Sequence, residues 1–300
     1  MRISIAICTW NRSSLLDAAL AEMAHLVIPV GIDWEILVVN NNCTDDTSAV
    51  IEGHSARLPL RELNEPRQGL SHARNRVLDE AAGELILWTD DDALVDPGWL
   101  AAYTKAATET PAAVFFGGPV DPWFPVTPPA WLKKNFEIFA GAYAVRTMPP
   151  GTFTLNDRKA LPFGANFAIR REACVDLRFD PDLGRKGQDM IGGEEVSFLG
   201  RLLDQGQSGA WVETARVRHY IARDRLSRQY LWDFYYGKGQ SRVRMSRDVN
   251  TTSLRQLQRK YWKTKFKIWT GSLRQGERWA RALKASAITR GTIDELRRRG

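Results

Sequence analysis

The chain has 300 residues, 44% of them hydrophobic, and a formal net charge of +7; that is apolar material for one sizeable core, or for a domain with an appendage, and disorder is not the default reading. The charge is uneven: residues 251–300 hold 14 Lys/Arg against 3 Asp/Glu, whereas the first 250 carry 28 against 32, so the positive character belongs to a tail, which argues against a basic nucleic-acid-binding body. No run approaches the roughly 18 apolar residues of a membrane span, the opening apolar run is too short for a secretory leader, and Cys8, Cys43 and Cys174 lack metal-ligand spacing, so the expectation is a reduced, cytoplasmic setting.

Along the first 120 residues short β-rich apolar runs alternate with helical patterns, the signature of a mostly parallel, doubly wound α/β sheet with helices on both faces. "ISIAICT" (3–9) is apolar on both faces, as a central parallel strand is. "SSLLDAALAEMAHL" follows as a helix with Ser14 and Asp17 at capping-box spacing. "EILVVN" (35–40) is the second strand and "TDDTSAVIEG" the start of the second helix. "LSHARNRVLDEAAG" is a third helix, with Gly83 placed to act as a left-handed cap, and "ELILWT" is the next strand. Asp96 and Pro97 have the character of an N-cap and a first-turn residue, and "AAVFFGGPV" (112–120) is a further strand. From 121 to 165 proline, glycine and tryptophan argue for loops. "FGANFAIRREA" is a strand entering a helix, "GGEEVSFLGRLLDQG" a turn, a helix and a stop, "GAWVETARVRHYIA" a strand, and "RLSRQYLWDFYYGKGQSRVR" a helix.

The chemistry concentrates where the "ELILWT" strand ends in Asp90, Asp91 and Asp92. Two carboxylates about 4 Å apart repel by roughly 4 kcal/mol at an effective dielectric near 20, so a triplet at a strand end needs a cation or many donors beside it. Mg²⁺ and Mn²⁺ take one or two carboxylates and complete their shells with phosphate and water, and ligands of open α/β sheets bind outside the carboxyl ends of strands. A metal–diphosphate site follows; a solvated acidic turn is the plainer alternative. Glu194 and Glu195 open a helix, where the dipole favours carboxylates whether or not they are catalytic. His219 closes an alternating run and suits a structural role as well as a ligand's, while His25, His54 and His72 have the character of structural residues.

Taken in order, "ISIAICTWNR", "EILVVNNNCTDDT", "GLSHARNRVLDEAAGELILWTDDD", "FGANFAIRRE", "GGEEVSFLGRL" and "VRHYIARDRL" resemble the family 2 glycosyltransferases over roughly residues 2–245. The resemblance implies a GT-A fold, with residues 1–120 as the nucleotide-sugar half and 121–245 as the acceptor half, followed by a basic helical tail over 246–300. It implies a nucleotide-diphosphate sugar as donor, with Thr9 and Asn41 near the nucleobase and Asn11 also at the donor nucleotide, although the family's usual acidic residue in the second turn is replaced by Asn40, Asn41 and Asn42. Arg67 and Arg74 line the nucleotide. Asp90 and Asp92 form the family's DxD pattern, Asp92 binding Mn²⁺ or Mg²⁺ with help from Asp90 and His219, and Asp91 or Asp90 lying near the ribose. "GGEEV" matches an acceptor motif in which aspartate usually stands where this chain has Glu195, so the base is Glu195 or Glu194. Transfer to an acceptor hydroxyl of a glycan or lipid-linked molecule, with inversion, is the implied reaction, and polysaccharide or glycolipid synthesis the implied setting.

Trp123 and Trp131, in "DPWFPVTPPAWL", are candidates for an acceptor wall, since tryptophan faces suit sugar rings; packing on the domain is the plainer alternative. In the tail, Leu254, Leu257, Tyr261, Trp262, Phe266, Trp269 and Leu273 recur at helical spacing among Lys and Arg, a pattern that suits either an anionic membrane surface contacted by 254–273 or packing on the protein. A metal-dependent nucleotidyl- or phosphotransferase is the rival enzyme reading; it lacks the phosphate loop GxxxxGK[ST].

Overall fold

A computed structural model describes residues 1–187, 189–246, 254–272 and 274–299. The chain forms two compact units: Met1–Trp123, Ala144–Pro181 and Glu194–Tyr220 make the first, and Phe124–Tyr143, Asp182–Gly193 and Ile221–Gly300 the second. The boundary expected at residue 245 falls inside the second unit, and the one expected at 120 inside the first.

In chain order the first unit begins β1 (Arg2–Thr9), α1 (Ser13–Met23), β2 (Asp33–Asn40), α2 (Thr47–His54), β3 (Leu60–Asn64), α3 (Leu70–Glu80), β4 (Leu85–Asp90), β5 (Ala93–Val95), α4 (Trp99–Glu109), β6 (Ala113–Gly117) and β7 (Val120–Trp123). The chain then contributes α5 (Ala130–Lys134) and α6 (Phe136–Phe139) to the second unit and returns for β8 (Phe153–Leu155), β9 (Asn166–Arg170), α7 (Glu194–Asp204), β10 (Ser208–Trp211) and β11 (Val217–Tyr220). The last three helices, α8 (Arg228–Met245), α9 (Leu254–Gly271) and α10 (Glu277–Arg299), belong to the second unit.

The large sheet runs β3-β2-β1-β4-β9-β6-β10-β8, and a small sheet runs β5-β11-β7. β1 pairs in parallel with β2 and β4, while β9 lies antiparallel between β4 and β6. Alternation along the strands splits the core into two layers. Ile3, Ile5, Ile7, Ile36, Val38, Leu85 and Leu87 pack with Leu16 and Leu20 of α1 and Trp99 and Tyr103 of α4. Ala6, Leu37, Val39, Ile86 and Trp88 pack with Val77 of α3 and Phe198 and Leu202 of α7. This two-sided burial is why β1, β2 and β4 read as continuous apolar runs. One buried side chain ties the sheets together: Asn166 accepts from Trp99 Nε1 at 2.8 Å and Tyr103 Oη at 2.7 Å, and donates to the carbonyls of Pro119 and Ala215 at 2.9 and 2.7 Å.

Several local expectations are corrected. The Ser14–Asp17 capping box does not form: α1 starts at Ser13, whose N–H donates to Asp45 Oδ2 at 2.9 Å, and Asp17 binds His54 Nε2 at 2.7 Å. Gly83 is not a left-handed cap. Instead its missing side chain lets the backbone approach β1, where a Cβ would lie 2.4 Å from the Ser4 nitrogen. The helix expected from Asp96 starts at Trp99, with the Asp96 carbonyl accepting from the Trp99 N–H. The runs 112–120 and 209–222 each divide between the two sheets, β6 from β7 and β10 from β11, and β3 and β5 are strands that were not anticipated.

In the second unit Ser227 caps α8 by accepting from the Tyr230 N–H at 3.1 Å. α8 and α10 pack backbone to backbone: a Cβ on Gly239 would lie 2.1 Å from the Ile288 carbonyl oxygen, and one on Gly291 2.0 Å from that of Tyr236. α9 buries Thr264 and half-buries Leu257, Tyr261 and Ile268, leaving Leu254, Trp262, Phe266 and Trp269 exposed. Leu273, from the same expected stripe, lies outside the described residues. No described helix is long and apolar enough to cross a membrane.

Candidate active site

The carboxyl ends of β1 and β4 lie side by side, with Cys8 opposite Asp90 in the ladder. β2 flanks β1 on the other side, so the crevice where ligands of such sheets bind opens above Thr9 and the aspartates. Asp91 and Asp92 are buried, and Asp90 is the carboxylate left one-third exposed.

Each aspartate has its own partners. Asp91 accepts from Thr9 Oγ1 at 2.8 Å through Oδ2 and from Arg12 Nη1 at 2.9 Å through Oδ1. The same Arg12 nitrogen lies 3.2 Å from Asp92 Oδ2, and Asp92 Oδ1 is 3.2 Å from His219 Nε2. The ladder brings His219 there, since β11 pairs with β5 and sets His219 opposite Ala93. Arg12 was not singled out from the sequence; its signal is its place directly after β1 in "TWNR", where a cation faces the next strand's carboxylates.

Arg74 joins the triplet to the glutamates. From α3 its guanidinium reaches 3.2 Å from Glu194 Oε1 and 3.9 Å from Asp90 Oδ1. It is held among Trp88, Phe167 and Phe179, whose ring centres lie 5.7, 5.4 and 5.5 Å from Cζ, so its position is fixed by packing as well as charge. Glu194 is thereby occupied with Arg74. Glu195, next along at the start of α7, is only partly exposed, and burial together with the Glu194 charge pushes its carboxyl up to about 7, against the opposing pull of Arg74. A carboxyl titrating near neutrality is suited to accepting a proton.

The electrostatics also bear on a cation. Burial and the neighbouring Asp92 charge raise the Asp90 carboxyl, and burial pushes Asp91 up to about 6 in spite of Arg12, so two arginines leave negative charge uncompensated. Among the described residues no three His, Cys, Asp or Glu side chains already surround one point. Asp92, with His219 beside it, and the more open Asp90 nevertheless offer the carboxylate oxygens that Mn²⁺ or Mg²⁺ takes alongside substrate phosphate, and these two carboxylates fit such an ion.

The other expected residues are placed as follows. Both amide hydrogens of Asn41 are spent on the carbonyls of Glu65 and Arg67, at 2.9 and 2.8 Å, and its oxygen accepts from the Gly69 N–H at 2.8 Å; the side chain holds the loop before α3 closed. Arg67 is exposed and pairs with Glu65 at 2.8 Å. Asn11, at φ 52°, accepts from the Thr44 N–H at 2.7 Å, tying the turn after β1 to that after β2. Trp123 is 37% exposed and meets Tyr220 edge-on. Trp131 belongs to the second unit, where it packs edge-on against Phe139 and Trp279 with Arg228 over its ring, so packing accounts for it.

Comparison with known proteins places the fold and the family. Residues 4–178 match glycosyl transferase family 2, a span that includes Arg12, Arg74 and the aspartates and ends before Glu194. The succinoglycan biosynthesis protein ExoM of Rhizobium meliloti is 26% identical over 250 residues, which cover 82% of this chain and 75% of ExoM. The glucosyl-dolichyl phosphate glucuronosyltransferase of Haloferax volcanii is 24% identical, with 77% and 73% covered. Among solved structures, the mannosyltransferase PcManGT of Pyrobaculum calidifontis, determined with GDP-Man and Mn²⁺, superposes with a TM-score of 0.57 at 17% identity, covering all of this chain and 76% of that one. S. aureus TarS 1–349 gives 0.55 at 16%, covering all of this chain and 92% of TarS. The fold is GT-A, and these findings leave no place for the nucleotidyl- or phosphotransferase alternative. The chain belongs to glycosyl transferase family 2, and the protein is a glycosyltransferase.

Proposed function

We propose that the protein transfers a sugar, with inversion, from a nucleotide-diphosphate donor to an acceptor hydroxyl, in a reaction that requires a divalent cation. The observation that carries this is the Arg74 guanidinium shared by Asp90 and Glu194, which puts the strand-end carboxylates and the helix-start glutamates in one site. Asp92 and Asp90, with His219 beside them, would hold Mn²⁺ or Mg²⁺, which would supply positive charge to neutralise the departing diphosphate. Thr9, Asn11, Asn41, Arg67 and Arg74 shape the donor site, in part by holding its loops, and Asp91, fixed by Thr9 and Arg12, lies towards the ribose. Glu194 pairs with Arg74, and burial together with the Glu194 charge keeps the Glu195 carboxyl basic enough to take the acceptor proton. Opposite-face attack by that hydroxyl inverts the anomeric carbon. Trp123 offers an exposed ring for the acceptor sugar.

The names of ExoM and of the dolichyl phosphate glucuronosyltransferase point to an acceptor in polysaccharide or lipid-linked saccharide synthesis. α9 supports a peripheral contact with anionic lipid: Trp262, Phe266 and Trp269 are 69, 63 and 74% exposed, on a helix whose charged residues are all Lys or Arg, the composition of an interfacial helix. The test is a panel of nucleotide sugars with Mn²⁺, Mg²⁺ or EDTA, read by release of nucleoside diphosphate and by the anomeric configuration of the product. One donor turning over only with metal and giving the inverted anomer supports the reading; metal-independent turnover or retention contradicts it.

A further inference from the structure

The second unit holds a cavity of about 870 Å³ among α5, α6, α8, α9 and α10. Six of its lining residues are cations: Lys133, Lys134, Arg242, Lys260, Arg281 and Lys284. Among the described residues two carboxylates face them, Glu137 and Glu277, and Glu277 is paired with Arg281. Lys133, Lys134, Arg242 and Lys260 have no carboxylate within ion-pair distance among the described residues, and all four are exposed.

The cations converge from elements far apart in sequence. Lys133 and Lys134 close the last turn of α5, Arg242 sits in the last turn of α8, Lys260 comes from α9, and Lys284 from the middle of α10. Lys284 is fixed: its ammonium donates to the Ile138 carbonyl at 2.8 Å and lies 5.0 Å from the centre of the Tyr235 ring. Burial, followed by the charges of Lys238, Arg242 and Arg281, holds it below the ordinary lysine range, the response of a cation among like charges lacking a counter-ion. Protein surfaces usually intersperse both signs; here the excess of one sign is gathered in a concave, partly apolar space.

We infer that this cavity is a binding site for a phosphate-bearing anion carrying more than one negative charge, such as a diphosphate. A carboxylate brings a single charge, whereas a phosphoryl group brings about −1.5 to −2 at neutral pH with three acceptor oxygens. Lysine ammonium groups and an arginine fork converging from several helices suit that chemistry. The site is lined wholly by residues of the helical unit, whereas the acidic centre, where a diphosphate needs a divalent cation, is built from residues of the sheet unit.

The test uses the full chain in EDTA, titrated with inorganic pyrophosphate by calorimetry. The wild type binds, and K134A/R242A/K260A, which removes three exposed cations without ion pairs and melts at the wild-type temperature, binds at least about tenfold more weakly. Asp92→Asn binds as the wild type does. Absence of wild-type binding, equal binding by the triple variant, or loss of binding in Asp92→Asn overturns the site. Cosedimentation with phosphatidylcholine vesicles carrying a polyprenyl phosphate identifies the source. Capture by those vesicles, reversed by pyrophosphate, assigns a lipid headgroup, whereas pyrophosphate binding without capture assigns a soluble phosphate. Nucleoside diphosphate release by the triple variant is read in parallel, so failure of the anion site and failure of the glycosyl-transfer reading give different results.

Discussion

The strand-end crevice of the sheet unit and the cavity of the helical unit hold opposite charge and treat it differently. In the crevice Arg12 serves Asp91 and Asp92, Arg74 serves Asp90 and Glu194, and His219 serves Asp92. In the cavity four exposed cations have no carboxylate within ion-pair distance among the described residues. Buried charge persists only with partners close by, whereas solvated charge can be gathered and held ready for a ligand. The crevice is therefore the place where single substitutions should act strongly, on stability as well as on chemistry.

The largest effect on folding should come from Arg74→Met. It leaves Glu194 and Asp90 without their buried cation while keeping much of the apolar contact with Trp88, Phe167 and Phe179, and chemical denaturation should show a loss of about 3–5 kcal/mol. A loss below 1 kcal/mol would mean that the crevice tolerates free carboxylates as readily as the cavity tolerates free lysines. Asn166→Leu comes next. It strands the Trp99 and Tyr103 donors and two carbonyls, for about 3 kcal/mol in the same experiment, given 1–3 kcal/mol per unsatisfied buried group and incomplete additivity. In the helical unit Gly239→Ala must part α8 from α10, costing about 1–3 kcal/mol, whereas Lys134→Ala should change the melting temperature little, because an exposed lysine without an ion pair contributes little to folding.

The smallest effect sharpens the electrostatic account. A base works deprotonated, so kcat/KM should rise with pH through about 7 as Glu195 loses its proton. Glu194→Gln removes the charge that raises Glu195 and leaves Arg74 to lower it, so the rising limb should move to lower pH; a shift upwards would remove Glu194 from that role.

Much of this was legible in the sequence, for physical reasons that differ by element. β1, β2 and β4 are buried on both faces, so their residues are apolar throughout and announce themselves. β5, β7 and β11 are three or four residues long and exist through their pairing with one another, which no local pattern encodes. The capping box at Ser14 and Asp17 was locally plausible, but the N-terminus of α1 is satisfied from a distance by Asp45. α10 falls within the helical tail expected over 246–300, but its packing was not legible, because its sequence is polar and Gly291 and small residues such as Ala280 and Ala287 carry that packing. Within the site Asp90, Asp92, Glu195 and His219 stood out as chemistry at strand and helix ends. Arg12 did not, and the choice between Glu194 and Glu195 turned on the Arg74 contact, a relation between residues 120 positions apart in the chain.

The most direct test of the central claim, that Glu195 is the base and Glu194 its supporting charge, is to measure donor affinity and turnover together for Glu195→Gln. The account predicts kcat reduced about 10²- to 10⁴-fold, the affinity for the nucleotide sugar in Mn²⁺ within twofold of wild type, and loss of the rising limb near pH 7. A variant that keeps its turnover, or that loses donor affinity in proportion to kcat, would contradict it.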